Sequence, residues 1–303
     1  MKRSAVQFPI TPLPRLSSGA ATCCDSMISG VKLNFALWVT GTILSVAHPS
    51  ATEQKVSGRE AELAPLPPHL ADMQVQVLRA GGDEKKQYFL IRRPGEAPKE
   101  GWRTLFVLPG GSGGADFRTF VTAMTKFALP DGYQTVQLIA PVWDAKQAQD
   151  LVWPTDKLKT ASVKFSTRDF FLAVRAEVEK SQRIDPRYVF TLTWSSSGPN
   201  GYLLSLDPKV GVTGSFIAMS VFQPAQLPSL QSAKGRPYFL YHSPADFIPF
   251  VQAEAARDAL RKAGAIVELV SYPGGHGWTG ETMADIRKGI TWLEEQVAPA
   301  RAK

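Results

Sequence analysis

The chain is poor in cysteine, in histidine and in long apolar runs, and each shortage removes a class of function. Only two cysteines occur in 303 residues, and they are the adjacent pair Cys23 and Cys24. That pair supplies neither the spacing of a zinc site nor a disulfide framework. A body free of cysteine suits an oxidising compartment. The histidines number four, His48, His69, His242 and His276, and no metal-ligand cluster or carboxylate pair for glycoside chemistry is evident. The most continuous apolar stretch, Leu33 to Ala47, is shorter than the ~20 residues a membrane-spanning helix needs, so no stable membrane span is expected. The net charge is +7, yet Lys and Arg are scattered among acids, with no basic run and no interleaved aromatics. A nucleic-acid partner is therefore not expected. The glycine-rich run at 109–114 lacks the Gly-Lys-Ser/Thr ending of a phosphate-binding loop. It also lacks the spacing of a dinucleotide fingerprint, and no cofactor is expected.

What is present is ordinary globular composition, 44% hydrophobic and 20% charged, enough to bury a sizeable core. Residues 1–47 read as an N-terminal extension and signal peptide, because Lys32 precedes the apolar run and Ser45-Val-Ala47 offers small residues at a cleavage spacing. Met27 is a more natural start than Met1, and cleavage near Ala47 implies a secreted or periplasmic protein. Residues 48–72, rich in Ala, Pro and charge, read as a linker. Residues 73–297 form one folded domain, and 298–303 a C-terminal tail. Nothing in the pattern fixes an oligomeric state.

Within 73–297 the periodicity alternates. Strands are predicted at Met73 to Leu78 and Gln87 to Ile91, paired as a hairpin, and at Thr104 to Leu108, Val136 to Val142 and Tyr188 to Thr193. Further strands are predicted at Val212 to Met219, Pro237 to Tyr241 and Ile266 to Tyr272. Helical spacing links Phe117, Phe120, Val121, Met124 and Phe127. Ser166 with Asp169 opens a second helix, which Asp185-Pro186 closes. Phe250 to Ala263 and the face Met283, Ile286, Ile290, Leu293 and Val297 give two more. Strands alternating with helices imply an α/β fold, a mostly parallel central sheet with helices on both faces.

One stretch concentrates the chemistry. The apolar run from Tyr188 stops in Trp194-Ser-Ser-Ser-Gly198 and a helix can start behind it, the layout of a nucleophile elbow. A serine hydroxyl attacks only if a base takes its proton, and an imidazole held by a carboxylate does so near neutral pH. His48 and His69 fall before the domain, which leaves His242 and His276. His276 sits in the glycine-rich loop Tyr272-Pro-Gly-Gly-His-Gly-Trp278 after the last strand. Asp246 lies in the turn after the strand ending at His242. Ser, Asp and His then follow one another along the chain, one to a loop, with Asp246 orienting His276.

Sterics rank the serines, because the turn needs small residues two places either side of the nucleophile. Ser195 places Thr193 and Ser197 there, whereas Ser196 places Trp194 and Gly198. Ser195 is therefore preferred over Ser196 as nucleophile. The oxyanion donors expected are the amide of Ser196 and one from the loop 109–114, Gly111 first and Ser112 second. Trp153, with Trp143 beside it, and Trp194, Trp278 and His242 are expected to line the substrate site, a structural role being the alternative for His242.

With Leu108-Pro-Gly-Gly-Ser-Gly-Gly-Ala-Asp-Phe117, Thr193-Trp-Ser-Ser-Ser-Gly-Pro199, His242-Ser-Pro-Ala-Asp246 and Gly274-Gly-His-Gly-Trp278 in that order, the chain resembles the α/β-hydrolase superfamily. Within it the chain looks most like secreted carboxylesterases of the polyhydroxybutyrate-depolymerase and feruloyl-esterase-like type, and like dienelactone-hydrolase-like proteins. The resemblance covers Met73 to Val297. It implies a serine esterase working on a small-molecule ester or acyl substrate through an acyl-enzyme, without cofactor. The family's elbow, usually Gly-Trp-Ser-Ser-Gly-Gly-Pro, aligns Ser195 with the nucleophile. Thr193 and Ser197 replace its two flanking glycines, and Pro109 stands where many members have His. Those replacements keep a non-catalytic binding protein of the same fold open, and a peptidase or amidase would use the same triad.

Overall fold

The computed structural model describes residues 64–298. The expected signal peptide, its cleavage near Ala47, the first part of the linker and the residues from 299 onward lie outside them. Residues 64–72, expected as linker, pack against the body. Leu70 is buried, and Lys126 Nζ bonds the His69 carbonyl at 2.7 Å and the Asp72 carboxylate at 2.6 Å.

The strands are β1 (Gln74–Arg79), β2 (Gln87–Arg92), β3 (Trp102–Leu108), β4 (Tyr133–Leu138), β5 (Ile184–Trp194), β6 (Gly214–Ala218), β7 (Pro237–His242) and β8 (Ile266–Ser271). They form one sheet in the order β1-β2-β4-β3-β5-β6-β7-β8. β2 runs antiparallel to both neighbours, and all other pairings are parallel. Helices α1 (Arg118–Phe127) and α6 (Thr282–Val297) cover one face. Helices α3 (Thr167–Ser181), α4 (Gly198–Leu206) and α5 (Val251–Lys262) cover the other. The short α2 (Ala145–Asp150), which the periodicity does not foretell, is capped by Asp144, whose carboxylate accepts from the Gln147 amide.

Side-chain alternation along the central strands feeds both cores, as a period of two demands. In β3, Leu105 and Val107 join Val121, Met124, Ile286, Ile290 and Leu293. Phe106 and Leu108 turn the other way, onto Phe170, Phe171, Val174 and Val178. In β5, Phe190, Leu192 and Trp194 share the α1/α6 face, while Val189 packs on the α3 side. The strands are nearly uniformly apolar because both faces are covered.

Most strand ends shift by a residue or two, and two differences are larger. The fourth strand begins and ends earlier, at Tyr133–Leu138 instead of Val136 to Val142. The helix opened by Ser166, whose hydroxyl accepts from the Asp169 amide, ends at Ser181, so Asp185-Pro186 does not close it. Those residues lie inside β5, where the register against β3 jumps from Trp102↔Ile184 to Thr104↔Val189. A proline tolerates a strand at such an irregularity, because no ladder bond is asked of its nitrogen.

The six parallel strands end together, which gathers the loops that follow them at one edge. Among them are 109–114 after β3, the turn at 195–197 after β5, the loop after β6 that carries Ser220, 243–250 after β7, and 272–281 after β8. In open α/β sheets ligands bind at this edge.

Candidate active site

β5 ends at Trp194 in extended conformation, and the next residue turns over. Ser195 has φ 54°, the left-handed region that a side chain with a β-carbon rarely adopts. Such strain persists only where the surroundings over-determine it, and three hydroxyls do so here. Ser220 Oγ donates to the Ser195 carbonyl at 2.9 Å. Ser197 Oγ accepts the Trp194 N–H at 3.0 Å and donates to the Leu108 carbonyl at 2.5 Å. Ser196 Oγ donates to the Gly111 carbonyl at 3.0 Å. The chain then enters α4.

The space for this turn comes from glycines further along than expected. A β-carbon at Gly198 would fall 1.9 Å from Ser220 Oγ, and one at Gly201 would fall 2.3 Å from Thr193 Oγ1. The side chains at 193 and 197 are fully buried, so the turn accommodates them without the two flanking glycines.

His276 reaches the turn from the loop after β8. Its Nε2 lies 2.8 Å from Ser195 Oγ, and its Nδ1 lies 3.0 and 2.9 Å from the two oxygens of Asp246. A carboxylate can only accept, so Nδ1 carries the proton and the Nε2 lone pair faces the Ser195 hydroxyl. The Asp246 carboxylate is inaccessible to solvent and also accepts the Ile248 N–H at 2.8 Å. The Phe247 ring centroid lies 4.3 Å from that of His276.

Tyr272 anchors the histidine loop. Its hydroxyl sits 3.1 Å from the carbonyls of both Gly275 and Gly277, the neighbours of His276 in the chain. Burial, with the nearby Asp246 charge, pushes this phenol up to about 12, so it stays a donor through the neutral range. Tyr272 stacks on Tyr241 at 4.3 Å and 8°, and Tyr241 stacks on Trp278 at 5.9 Å and 17°. Tyr241 in turn donates to Asp285 of α6 at 2.6 Å.

The loop after β3 makes a turn closed by the Gly113 N–H on the Gly110 carbonyl at 2.9 Å, with Gly111 at φ 56°. Gly110 must lack a β-carbon, which would fall 2.5 Å from the Trp194 indole. Among the described residues the Gly111 and Ser112 amides bond no backbone carbonyl. Ser112 Oγ accepts the Gly114 amide at 3.3 Å.

Three residues expected to line a substrate site are instead packing residues. Trp194 is 4% exposed and lies among Phe117, Phe120 and Trp278, because one step along the strand from Ser195 points it into the α1/α6 core. Trp153 is 2% exposed and holds the glycine loop through Nε1 to the Pro109 carbonyl at 2.9 Å. His242, also 2% exposed, bonds the Ile248 carbonyl through Nε2 at 2.9 Å, which requires the proton on that nitrogen. With Asp246 taking the Ile248 amide, the acid loop is stapled from both sides. Trp278 is half-buried beside His276 in the chain, and Trp143 packs edge-on against Phe165.

Sequence reasoning does not reach Ser220, Tyr272 or Phe247. Ser220 acts across a 25-residue gap and leaves no local signal. Tyr272 opens the His276 loop and Phe247 follows Asp246, and that proximity in the chain is their only signal. Among the described residues no group of three or more His, Cys, Asp or Glu is placed to hold a metal ion. No described helix is long and apolar enough to cross a membrane.

No model of a known protein family matches the chain, and no curated protein matches it in sequence. Solved structures do match in shape. The chain is similar to MGS-M1, an alpha/beta hydrolase enzyme from a Medee basin deep-sea metagenome library, at a TM-score of 0.55 and 14% identity over 75% of this chain and 99% of that one. It is similar to the Est2 esterase of Thermogutta terrifontis at 0.55 and 16%, over 80% of this chain and 100% of the other. A fungal esterase from Rhizomucor miehei matches at 0.54 and 13%, over 75% and 84%. At these identities the likeness shows the α/β-hydrolase fold.

Proposed function

We propose that this α/β-hydrolase-fold chain is a serine hydrolase that cleaves carboxylic esters through an acyl-enzyme. The observation that carries the reading is the unbroken relay from the Asp246 carboxylate through His276 to Ser195 Oγ, with separations of 2.9 and 2.8 Å. Those are the separations at which a base takes a proton from a hydroxyl.

In this mechanism Ser195 Oγ attacks the ester carbonyl carbon while its proton passes to His276 Nε2. The negative charge that collects on the carbonyl oxygen is held by backbone N–H groups. Ser196 supplies one, since the second residue of a turn has no carbonyl within it to bond. The other comes from the glycine loop. The Gly111 carbonyl is turned onto Ser196 Oγ, so the Ser112 N–H on the same trans peptide points the opposite way. That favours the Gly111 N–H over Ser112. The C–O bond to the alcohol then breaks as Nε2 returns the proton to the departing oxygen. A water, deprotonated by the same nitrogen, attacks the acyl carbon, and the carboxylic acid leaves as Ser195 recovers its proton. Asp246 stays ionised and stabilises the imidazolium in both halves.

Fluorophosphonate labelling with mass mapping tests the assignment. Stoichiometric modification at Ser195, lost in His276→Ala, is the expected result, and no labelling at any serine of 195–197 would sink it. A panel of p-nitrophenyl esters beside aminoacyl-nitroanilides separates ester from amide preference. Export with cleavage near Ala47 is part of the same reading, and a mature N-terminus retaining Met1 or Met27 would overturn it.

A further inference from the structure

Phe247 belongs to none of the hydrophobic cores. At 76% exposure it is more open to solvent than any other large apolar side chain among the described residues. Single exposed apolar residues are common and need no explanation. This one is fixed over the reacting group, its ring centroid 4.3 Å from the His276 imidazole with the planes 40° apart. Its backbone is also tied on both sides. Asp246 precedes it and is tied to His276, while Ile248 follows it with its amide on Asp246 and its carbonyl on His242. The backbone therefore cannot swing residue 247 inward without dismantling the acid loop.

Its surroundings extend the same surface. Pro244, Ala245, Pro249 and Val251 are exposed, and Asp246 is the one ionisable residue from Pro244 to Val251, with its carboxylate turned inside. The result is an uncharged apolar lip on the histidine side of the site.

We infer that Phe247 forms the alcohol-side specificity surface, and that the favoured substrates are esters whose alcohol carries an aromatic or alkyl group. The inference rests on the ester-hydrolase reading, which fixes the direction. His276 Nε2 must face the departing oxygen to return its proton, so the group on that oxygen lies along the imidazole. The acyl oxygen is held on the other side of Ser195, at the Ser196 and Gly111 amides. An apolar alcohol group laid on Phe247 leaves water together with the exposed ring, whereas a methyl or ethyl group is too short to reach it.

Two series of unactivated esters test this in the full-length protein. Acetates of ethanol, butanol and benzyl alcohol vary the alcohol among primary alcohols of similar acidity. Ethyl acetate, butyrate and phenylacetate vary the acyl group. For the wild type kcat/KM should rise about tenfold from ethyl to benzyl acetate, the low end of what an apolar contact discriminates, through KM. Phe247→Ser should flatten that rise and leave the slope of the acyl series as it was. Phe247→Leu should restore the butyl preference. A rise unchanged in Phe247→Ser, or a flattening of the acyl series instead, overturns the inference. Fluorophosphonate labelling of Ser195 is run in parallel. Its absence sinks the hydrolase reading and this inference with it, while full labelling with a flat alcohol series sinks the inference alone.

Discussion

Ser197 Oγ lies 2.5 Å from the Leu108 carbonyl oxygen and 3.0 Å from the Trp194 amide nitrogen. One hydroxyl thus joins the end of β3, where the glycine loop starts, to the end of β5, where the chain turns over at Ser195. Ser197 occupies a position where the resemblance leads one to expect glycine, and it adds a tie that glycine cannot make.

Ser197→Gly should therefore weaken the protein, although it restores the expected residue. The Leu108 carbonyl and the Trp194 amide each lose this hydrogen bond, at ~1–3 kcal/mol for a buried donor or acceptor left unsatisfied. Urea denaturation should show a loss in that range, and ester hydrolysis should fall as the loop and the turn loosen against each other. Unchanged stability would mean that another group satisfies the Leu108 carbonyl and the Trp194 amide.

Tyr272→Phe removes the hydroxyl that touches the carbonyls on either side of His276. The stacking on Tyr241 survives, so the fold should hold within ~1 kcal/mol. What changes is the placement of the imidazole, and misplacement of a base is felt in the rate. We expect kcat to fall several-fold, with KM little changed and labelling of Ser195 slowed in proportion. A fall in stability with kcat intact would reduce Tyr272 to a core residue.

The elements of the sheet were legible because β-branched and aromatic runs separated by glycine-rich turns leave few alternatives. The three loops that bring Ser195, Asp246 and His276 together were legible as loops, since elimination left few histidines to choose from. What could not be read is which side chains face the substrate. Trp153 and Trp194 look like pocket residues by position, yet one step of strand period buries Trp194 under Gly110, and the Pro109 carbonyl draws Trp153 inward. The bulge at Asp185-Pro186 was hidden for a similar reason. A proline after a helical pattern signals a stop, and only pairing with β3 shows that it lies within a strand.

Asp185 links this bulge to pH. Its carboxylate takes Arg187 Nε at 3.0 Å, Nη2 at 2.7 Å and the Arg187 amide at 3.0 Å. The Arg187 guanidinium holds the Asp185 carboxyl below its ordinary value, against the upward pull of burial. A carboxylate with a depressed pKa stabilises the folded state above its unfolded pKa of about 3.9, and that contribution fades as pH falls through the lower folded value. Asp185→Asn should thus be less stable than the wild type at pH 7 by about 1 kcal/mol or less, since the arginine is half-exposed. The gap should narrow on acidification below about pH 4. Denaturation curves at pH 7, 4 and 3 check it, and a gap that widens at low pH would reverse the sign.

Thr193 and Gly201 carry the sharpest test of how the turn is built. Thr193 Oγ1 is buried without a hydrogen-bond partner, and it occupies the volume that a β-carbon on Gly201 would need, at 2.3 Å. Alanine at 201 on its own should gain ~1 kcal/mol in helix propensity within α4 and lose ~1–3 kcal/mol to overpacking. The clash should win, because both residues are fully enclosed and the next contact, Ile217 Cγ1 at 3.1 Å, gives little room. Thr193→Ala removes the clashing atom and also an unsatisfied buried hydroxyl. The double variant Thr193→Ala with Gly201→Ala should therefore be at least as stable as the wild type, with hydrolysis largely recovered. Urea denaturation of the four proteins in this cycle should show coupling of about 1–3 kcal/mol. Simple additivity would mean that the two residues do not compete for space, and that the room for Thr193 comes from elsewhere in the turn.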